Sequence, residues 1–567
     1  MSADDRRLIL AFLLSMVVFL GYQYFVTKQY PVKSISPTPL ASDTGAIDGA
    51  PGVTAARNDA RNDAARAEIR KLLSSSPDAE DTVTLEGDGF LLTATSRGAG
   101  IRQIQLTGIP RHPHVDTRDV ILVDPFWPYP FAAVHAPGTP AGAGPPNFQK
   151  MKSDAGSVTF RMDIADPDGR KPLLRIDRTV ARGKGRYEIR LETRVRNLSG
   201  QSLTIGSDTA QAFGIGLAPF PVKRPKTDLD IHEIFLKLGG DVEHRQEESP
   251  GFFSKFSGQS NHPQEARRET LDGVLKWISL GDRYFTLTLI PDSPLSHADL
   301  FLEGSSITAD ARYGTWTLDA GQERMFQERL YAGPKLPEHL KLYGEDILDI
   351  MNFGWFDWLG FGMLGLMNLF YRVISNYGVG IILMTVVVRI VLYPLTYKSY
   401  TSMAKLKDLA PKMKTIQDKY KDNREKLNRE MLKMYKDNKV NPAGGCLPIL
   451  LQIPVFIAFY RMLQYSIELR GASFAWVPDL SEKDPLYILP VLMGIAMLIQ
   501  QKMTPTPDPN QAKIGMFMTA IFTVLFLTFP GGLNLYWFVS TVLGILQQKM
   551  IERKMKPSVA APIQAAT

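Results

Sequence analysis

The chain has 567 residues, a net charge of +7 and a single cysteine, Cys446. That length leaves room for more than one domain, and one cysteine excludes an internal disulfide. So small a net charge points away from sequence-specific nucleic-acid recognition, and no internal repeat, P-loop, dinucleotide-binding glycine signature or Cys/His metal spacing is present.

Leu8 to Val26 is an apolar run of 19 residues behind Arg6 and Arg7. It is long for a cleaved signal peptide and no small-x-small site follows, so residues 1–28 read as an uncleaved anchor with a cytoplasmic N-terminus. Residues 29–80, rich in Ala, Ser, Pro, Asp and Arg without apolar periodicity, read as a flexible linker. Ala55 to Leu73 could form a short charged helix within it.

Across residues 81–340 the pattern changes to period two. Thr82–Leu85, Phe90–Thr95, Ser157–Ile164, Tyr187–Arg196 and Tyr313–Leu318 alternate or nearly so, with Gly-, Pro- and Asn-rich turns between them. Strands without intervening long helices predict an antiparallel β-sandwich. All eight histidines lie between His112 and His339. His112-x-His114 has metal-ligand chemistry, but beside Pro110 and Pro113 it reads as a surface loop, and neither metal nor cofactor is expected. No carboxylate pair or His constellation stands out, which favours a scaffold or binding role over an enzyme, although large β-sandwiches do host sugar chemistry.

Residues 341–376 are dense in aromatics (Trp355, Phe356, Trp358, Phe361, Phe370, Tyr371) with Asp357, Asn368 and Arg372 among them. That mixture suits an amphipathic helix lying in the membrane interface. The run Gly378–Leu395 follows, and it reads as a membrane-spanning helix except for Arg389. A cation at a helix centre in hydrocarbon costs at least ~2.5–3.5 kcal/mol. The other apolar runs, Cys446–Tyr465, Leu486–Gln501, Ile514–Phe529 and Leu533–Gln547, hold no Asp or Glu to pair with it. Water or an incoming ligand must then solvate the guanidinium in a wet intramembrane cavity, unless it snorkels to the nearer interface.

Charge placement orients the spans. Lys398–Gly445 carries 13 basic against 6 acidic residues, Ser466–Pro485 carries 2 against 4, and the tail at 551–567 is basic again. By the positive-inside rule this gives six crossings, both termini cytoplasmic, and the β-domain on the opposite side. Within 398–445, Met403, Leu406, Ala410, Met413 and Tyr420 recur near helical spacing, as do Leu427, Met431, Met434 and Asn438, with a turn at Asp422-Asn423. This predicts a helical hairpin with a methionine-rich seam and basic outer faces. Lys405, Lys412, Lys414, Lys419 and Lys421 are candidates for docking a ribosome, targeting factor or anionic lipid, although the positive-inside rule alone would explain them.

Several stretches carry a resemblance. Thr385-Val-Val-Val-Arg389, Tyr393-Pro-Leu-Thr, Tyr400-Thr-Ser-Met-Ala-Lys405, Lys439-Val-Asn-Pro-Ala-Gly-Gly-Cys-Leu-Pro448, Gln452-Ile-Pro-Val-Phe456, Pro485–Gly494 and Phe529-Pro-Gly-Gly-Leu-Asn-Leu-Tyr-Trp537 resemble the bacterial YidC branch of the YidC/Oxa/Alb membrane protein insertase family. The anchor and β-domain match the layout of its Gram-negative subgroup. The resemblance implies a five-helix insertase core over 377–550, here preceded by one anchor, and a periplasmic supersandwich related in fold to sugar mutarotases but not an enzyme. It implies a non-enzymatic insertase and chaperone of the inner membrane, acting on nascent membrane proteins alone or with the Sec translocon. The family's groove arginine and threonine match Arg389 and Thr385, and Gly378, Tyr393 and Thr396 would extend the same stripe. Gln452, Phe456 and Tyr536 join the groove set, and Trp537 stands where relatives usually carry a tyrosine that touches substrate.

Two other classes compete. A secondary transporter wants an inverted repeat, midplane broken helices and usually a titratable carboxylate or His, none of which is seen. A membrane-anchored carbohydrate-binding protein would leave five spans and the basic hairpin without a purpose.

Overall fold

A computed structural model describes residues 80–554 apart from 113–115, 124–129, 136–144, 166–170, 207–212, 218–232, 247–266, 304–305, 352, 355, 421–422, 439, 441–446 and 504–508. The expected anchor, all but the last residue of the linker, the tail beyond 554, His114 and Lys421 lie outside the described residues. The chain divides into two compact units, Met1–Arg111 with Asp119–Pro334 and His112–Arg118 with Lys335–Thr567.

The first unit is built of β-sheets. Thr82–Gly87, Phe90–Thr95, Ile101–His112 and Asp116–Val123 follow one another in a four-stranded sheet. A thirteen-stranded sheet places Arg267–Gly281, Phe285–Pro291, Glu323–Pro334, Glu188–Asn197, Pro172–Arg182 and Ser157–Ala165 as successive neighbours, in antiparallel register. All five expected strand segments appear, the last shortened to Trp316–Leu318. The strand Phe285–Pro291 is buried at every position, so it is covered on both faces and its burial, unlike its sequence, does not alternate.

Pro172–Arg182 does alternate, burying Leu174, Ile176, Arg178 and Val180. An arginine at an inward position needs a partner. Arg178 Nη1 donates to Glu328 Oε2 at 2.9 Å and also to Thr193, while the Tyr313 hydroxyl donates to Glu328 Oε1 at 2.8 Å. Burial pushes the Glu328 carboxyl and the Tyr313 hydroxyl upward, and Arg178 opposes both shifts. Removing one partner of such a buried pair would leave the other charge uncompensated.

The second unit is helical. We label its longer helices α1 (Asp357–Ile374), α2 (Tyr377–Val391), α3 (Tyr393–Lys419), α4 (Arg424–Asp437), α5 (Leu447–Tyr465), α6 (Ile488–Met503), α7 (Pro509–Phe526) and α8 (Gly531–Lys554). In α1, Gly360, Met363, Leu364 and Met367 form the buried stripe, while Trp358 and Val373 are 74% and 78% exposed on the other side. That is the amphipathic division expected of an interfacial helix.

The run Gly378–Leu395 is not one straight helix. It breaks at Leu392, and α2 and α3 diverge by 68°. Pro394 explains the break: proline lacks an N–H and suits the first turn of a new helix. Arg389 therefore lies in the last turn of α2, where unpaired carbonyls favour a cation. Among the described residues no single helix is long and apolar enough to cross a membrane, but α2 and α3 together meet that length and composition, and α6 and Gly515–Phe526 are shorter apolar helices.

The hairpin forms from α3 and α4, with Asn423 capping α4 through the Lys426 N–H. Its seam is Leu409, Met413, Met434 and Val440, flanked by Leu406, Ile416, Met431 and Tyr435. Met403 is not part of that seam. It packs with Tyr400 against Ile551 of α8, and Ala410 faces outward, because α3 is one continuous helix whose first half serves a different neighbour.

Candidate functional site

Arg389 is the centre of a polar cluster among apolar helices. Asn376 caps α2 by accepting from the Val379 N–H at 3.1 Å, and Gly378 brings the helix close to Phe474, whose ring occupies the place of a Cβ. Gly378 is thus a close-packing residue at the far end of α2 and does not extend the polar stripe.

At the other end, Arg389 Nε donates to Ser540 Oγ at 3.1 Å, and Nη2 donates to the same Oγ at 2.8 Å and to the Ser540 carbonyl at 2.5 Å. Gln452 Nε2 from α5 reaches that hydroxyl at 2.9 Å. Three helices, α2, α5 and α8, are thereby tied at one serine. Among the described residues no carboxylate lies within ion-pair distance of Arg389, and its Nη1 makes no hydrogen bond. The charge is held in place without being neutralised.

Two turns further along α8, Gln547 donates to Thr396 at 2.8 Å in a buried contact. The Gln548 amide reaches the Met503 carbonyl at 3.3 Å and the Glu552 carboxylate at 3.2 Å. Ser540, Gly544, Gln547 and Gln548 follow helical spacing, so α8 presents a polar face to α2, α3 and α6.

The predicted groove residues are distributed unevenly around this centre. Thr385 is fully buried, one turn before Arg389, with its hydroxyl turned back onto the Ile381 carbonyl at 2.6 Å. Tyr393 lies beyond the break, is 40% exposed and stacks near Tyr397 at 5.9 Å, so the 68° turn takes it away from the cluster. Phe456 stands edge-on to Trp537 at 5.1 Å, and Trp537 is half-buried. Tyr536 is buried against Phe459 at 4.5 Å, and its hydroxyl reaches Gln452 and Ser540 beside Arg389, so it belongs to the cluster. Lys405, Lys412, Lys414 and Lys419 are all exposed on α3. Lys419 sits 5.6 Å from the Tyr420 ring, and the neighbouring Lys407 pairs with Glu552 of α8 at 3.7 Å.

Sequence reading missed Ser540, Gln547 and Gln548. The signal was present in α8 as small and amide residues recurring every three to four positions, in a helix read only for its apolar content.

The loop between α5 and α6 is ordered by its own carboxylates. Asp484 accepts from the Leu486 and Leu489 amides at 3.0 and 2.7 Å and so caps α6, while Asp479 holds the Gly471 and Ser481 amides at 2.9 and 2.8 Å. The Gly531 and Gly532 amides at the start of α8 donate to the Glu482 and Leu480 carbonyls. These bonds fix the end of α8 from which Ser540 is positioned.

Comparison with known proteins agrees with this architecture. A family profile described as 60Kd inner membrane protein matches residues 369–558, and one described as YidC periplasmic domain matches residues 82–365. The chain is similar to a membrane protein insertase YidC of Syntrophus aciditrophicus, 31% identical across 97% of this chain and 100% of that one. It is also similar to a membrane protein insertase YidC of Geobacter sulfurreducens, 42% identical across 50% of this chain and 54% of that one. Among solved structures, an active YidC insertase with its first transmembrane domain resolved aligns over 83% of this chain at 18% identity, with a TM-score of 0.35. The chain belongs to the YidC family of membrane protein insertases, with a periplasmic-type β-domain ahead of a helical inner-membrane domain.

Proposed function

We propose that this protein inserts and folds integral proteins of the inner membrane by receiving their polar translocated segments at Arg389. The observation that carries the reading is a guanidinium tied to Ser540, whose hydroxyl Gln452 also reaches, but left without a carboxylate. A translocating loop carries polar or acidic groups that hydrocarbon penalises by several kcal/mol. A hydrated groove partway across lowers that barrier, and a fixed cation attracts acidic residues transiently. Gln452, Phe456 and Trp537 line the path, Thr385 and Tyr536 lie in its packed wall, and Tyr393 stands at its mouth. The outward apolar faces of α6 (Val491, Ile495, Leu498) and α7 (Phe517, Ile521, Val524) let the substrate's own helix partition into lipid.

In this reading the chain crosses the membrane six times, with both termini and the 398–445 hairpin cytoplasmic and the β-domain periplasmic. Nascent membrane proteins are the substrates. The Sec translocon, and a ribosome or targeting factor at the hairpin, are the partners. No nucleotide-binding motif exists, so substrate hydrophobicity and the membrane potential supply the driving force.

Reconstitution of the full chain into vesicles without Sec components tests this. A single-span probe with an acidic translocated segment should insert. Arg389→Ala should slow it about tenfold or more, the worth of a charge-assisted hydrogen bond. Arg389→Lys should retain most activity, because attraction needs the cation more than the fork. An alanine variant as active as wild type on acidic probes defeats the groove mechanism, and a wild type that inserts nothing defeats the insertase reading.

A further inference from the structure

Helix α3 carries two contact stripes, one after the other. Thr396, Tyr400, Met403 and Lys407 recur at helical spacing, and each meets α8. Thr396 accepts from Gln547 at 2.8 Å, Tyr400 and Met403 pack on Ile551, and Lys407 pairs with Glu552 at 3.7 Å. Leu406, Leu409, Met413 and Ile416 recur at the same kind of spacing and belong to the seam with Met431, Met434 and Tyr435 of α4. On a regular helix the two stripes face roughly 130° apart. One helix thus passes from one neighbour to another, and the exchange falls at Leu406 and Lys407.

Pro411 stands just past that exchange, inside the helix and exposed. It has no N–H for the Lys407 carbonyl, and its ring crowds that same carbonyl, so the backbone link is missing at the last residue held by α8. Thr415 turns its hydroxyl back onto the Pro411 carbonyl at 3.1 Å, a bond of the kind that loosens and bends a helix. Sharp helix bends concentrate at prolines for these reasons. The root below is held in the opposite manner. Glu552, the partner of Lys407, also accepts from Gln548 Nε2 at 3.2 Å, and that nitrogen reaches the Met503 carbonyl of α6 at 3.3 Å. The root is therefore fastened to α8 at three successive turns, and through Glu552 and Gln548 to α6.

We propose that Lys407–Pro411 is a joint, about which the hairpin beyond it swings as one unit while the root of α3 stays fixed on α8. The consequence is mechanical separation. Arg389 is anchored to Ser540 on α8, the helix that also holds the root, so a partner pulling on the hairpin bends the joint and leaves the arginine in place. This rests on the docking reading of the hairpin and adds how docking and insertion are kept independent.

The test uses the full chain in vesicles, with Cys446→Ser and nitroxide labels on introduced cysteines, and reads distance distributions by electron spin resonance. The hairpin pair is Glu425→Cys with Lys549→Cys, and the root pair is Lys398→Cys with Lys549→Cys, all at exposed positions. Wild type should give a broader distribution for the hairpin pair than for the root pair. Pro411→Ala restores the missing N–H and suits a helix interior, so the variant folds; it should narrow the hairpin pair toward the width of the root pair. Added ribosomes should shift the hairpin pair alone in wild type and both pairs in Pro411→Ala. Equal widths in wild type, an unchanged width in Pro411→Ala, or a root pair that moves with the hairpin in wild type would each overturn the joint. Ribosomes that shift neither pair would defeat the docking reading and leave the joint standing on the two widths.

Discussion

Replacing Ser540 by alanine isolates the restraint on Arg389 from its charge. The serine hydroxyl takes bonds from Arg389 Nε at 3.1 Å, Arg389 Nη2 at 2.8 Å and Gln452 Nε2 at 2.9 Å, while the Ser540 carbonyl takes another from Nη2 at 2.5 Å. Ser540→Ala removes the hydroxyl contacts and keeps the carbonyl one, so the guanidinium stays tethered at a single nitrogen and swings about it. Each hydrogen bond to a charged group is worth ~1.5–3 kcal/mol before compensation. Groove water recovers part of that, leaving a net loss of ~1–2 kcal/mol in positioning, which is about five- to thirtyfold in rate. The assay is insertion of paired acidic and neutral single-span probes into vesicles, with the larger loss expected on the acidic probe. Ser540→Thr restores a hydroxyl at the same point and should recover most of the rate. Wild-type rates for Ser540→Ala on the acidic probe, or a threonine variant no better than alanine, would refute the idea that this serine aims the arginine.

Two further outcomes follow from the hairpin and the interfacial helix. Lys412, Lys414 and Lys419 are exposed on the outer face of α3; replacing them with Lys421 by Glu should weaken ribosome co-sedimentation, and wild-type binding should fall with salt as the Debye length drops to ~8–10 Å, whereas salt-independent binding unchanged by the reversals would reduce the face to a topology signal. Burial, then Asp349, push the Asp357 carboxyl from 3.8 up to about 6 against the pull of Arg461. The fold prefers its neutral form, so stability from this group is full below 3.8 and lost as pH rises through about 6. Asp357→Asn should therefore stabilise the protein at about pH 8 by ~1 kcal/mol after allowance for solvent contact, and little at about pH 4, as read by thermal unfolding in detergent; equal shifts at both pH values would refute it.

What could be read from sequence was whatever depends on local period and cost. Alternation marked the strands at Thr82, Phe90, Ser157 and Tyr187, and an isolated cation in an apolar run marked Arg389. Partners were harder. Arg178 finds Glu328 across 150 residues of sequence, a pairing that no window of local pattern contains. Met403 and Met413 both looked like seam residues, but ten residues place them about 80° apart around α3, and one packs on Ile551 while the other packs on Met434. The break at Leu392 was legible and was passed over: Pro394 forbids a straight continuation, and it moves Tyr393 out of the stripe on which Arg389 sits. The strand Phe285–Pro291 alternates as Phe-Thr-Leu-Thr-Leu and was legible too, but its threonines are buried because both faces are covered, and Thr286 and Thr288 bond Ser279 instead of water.

The choice of partner for Arg389 explains how one residue can be both anchored and available. A buried carboxylate in place of Ser540 would satisfy the guanidinium more strongly, but the pair would be neutral overall and an acidic substrate group would have to displace it at a cost of several kcal/mol. A serine hydroxyl and the same serine's carbonyl, in the middle of α8, accept the N–H groups while leaving the full positive charge in the cluster. Position at the end of α2 adds to this, since the last-turn carbonyls offset part of the desolvation of the cation without neutralising it. Neutral acceptors thus fix the direction of the guanidinium, and the unneutralised charge keeps it attractive. Under the proposed mechanism the substrate would leave as readily as it arrives, because each contact would be exchanged for water and none for a competing ion. A groove meant to pass many different chains needs that reversibility more than it needs affinity.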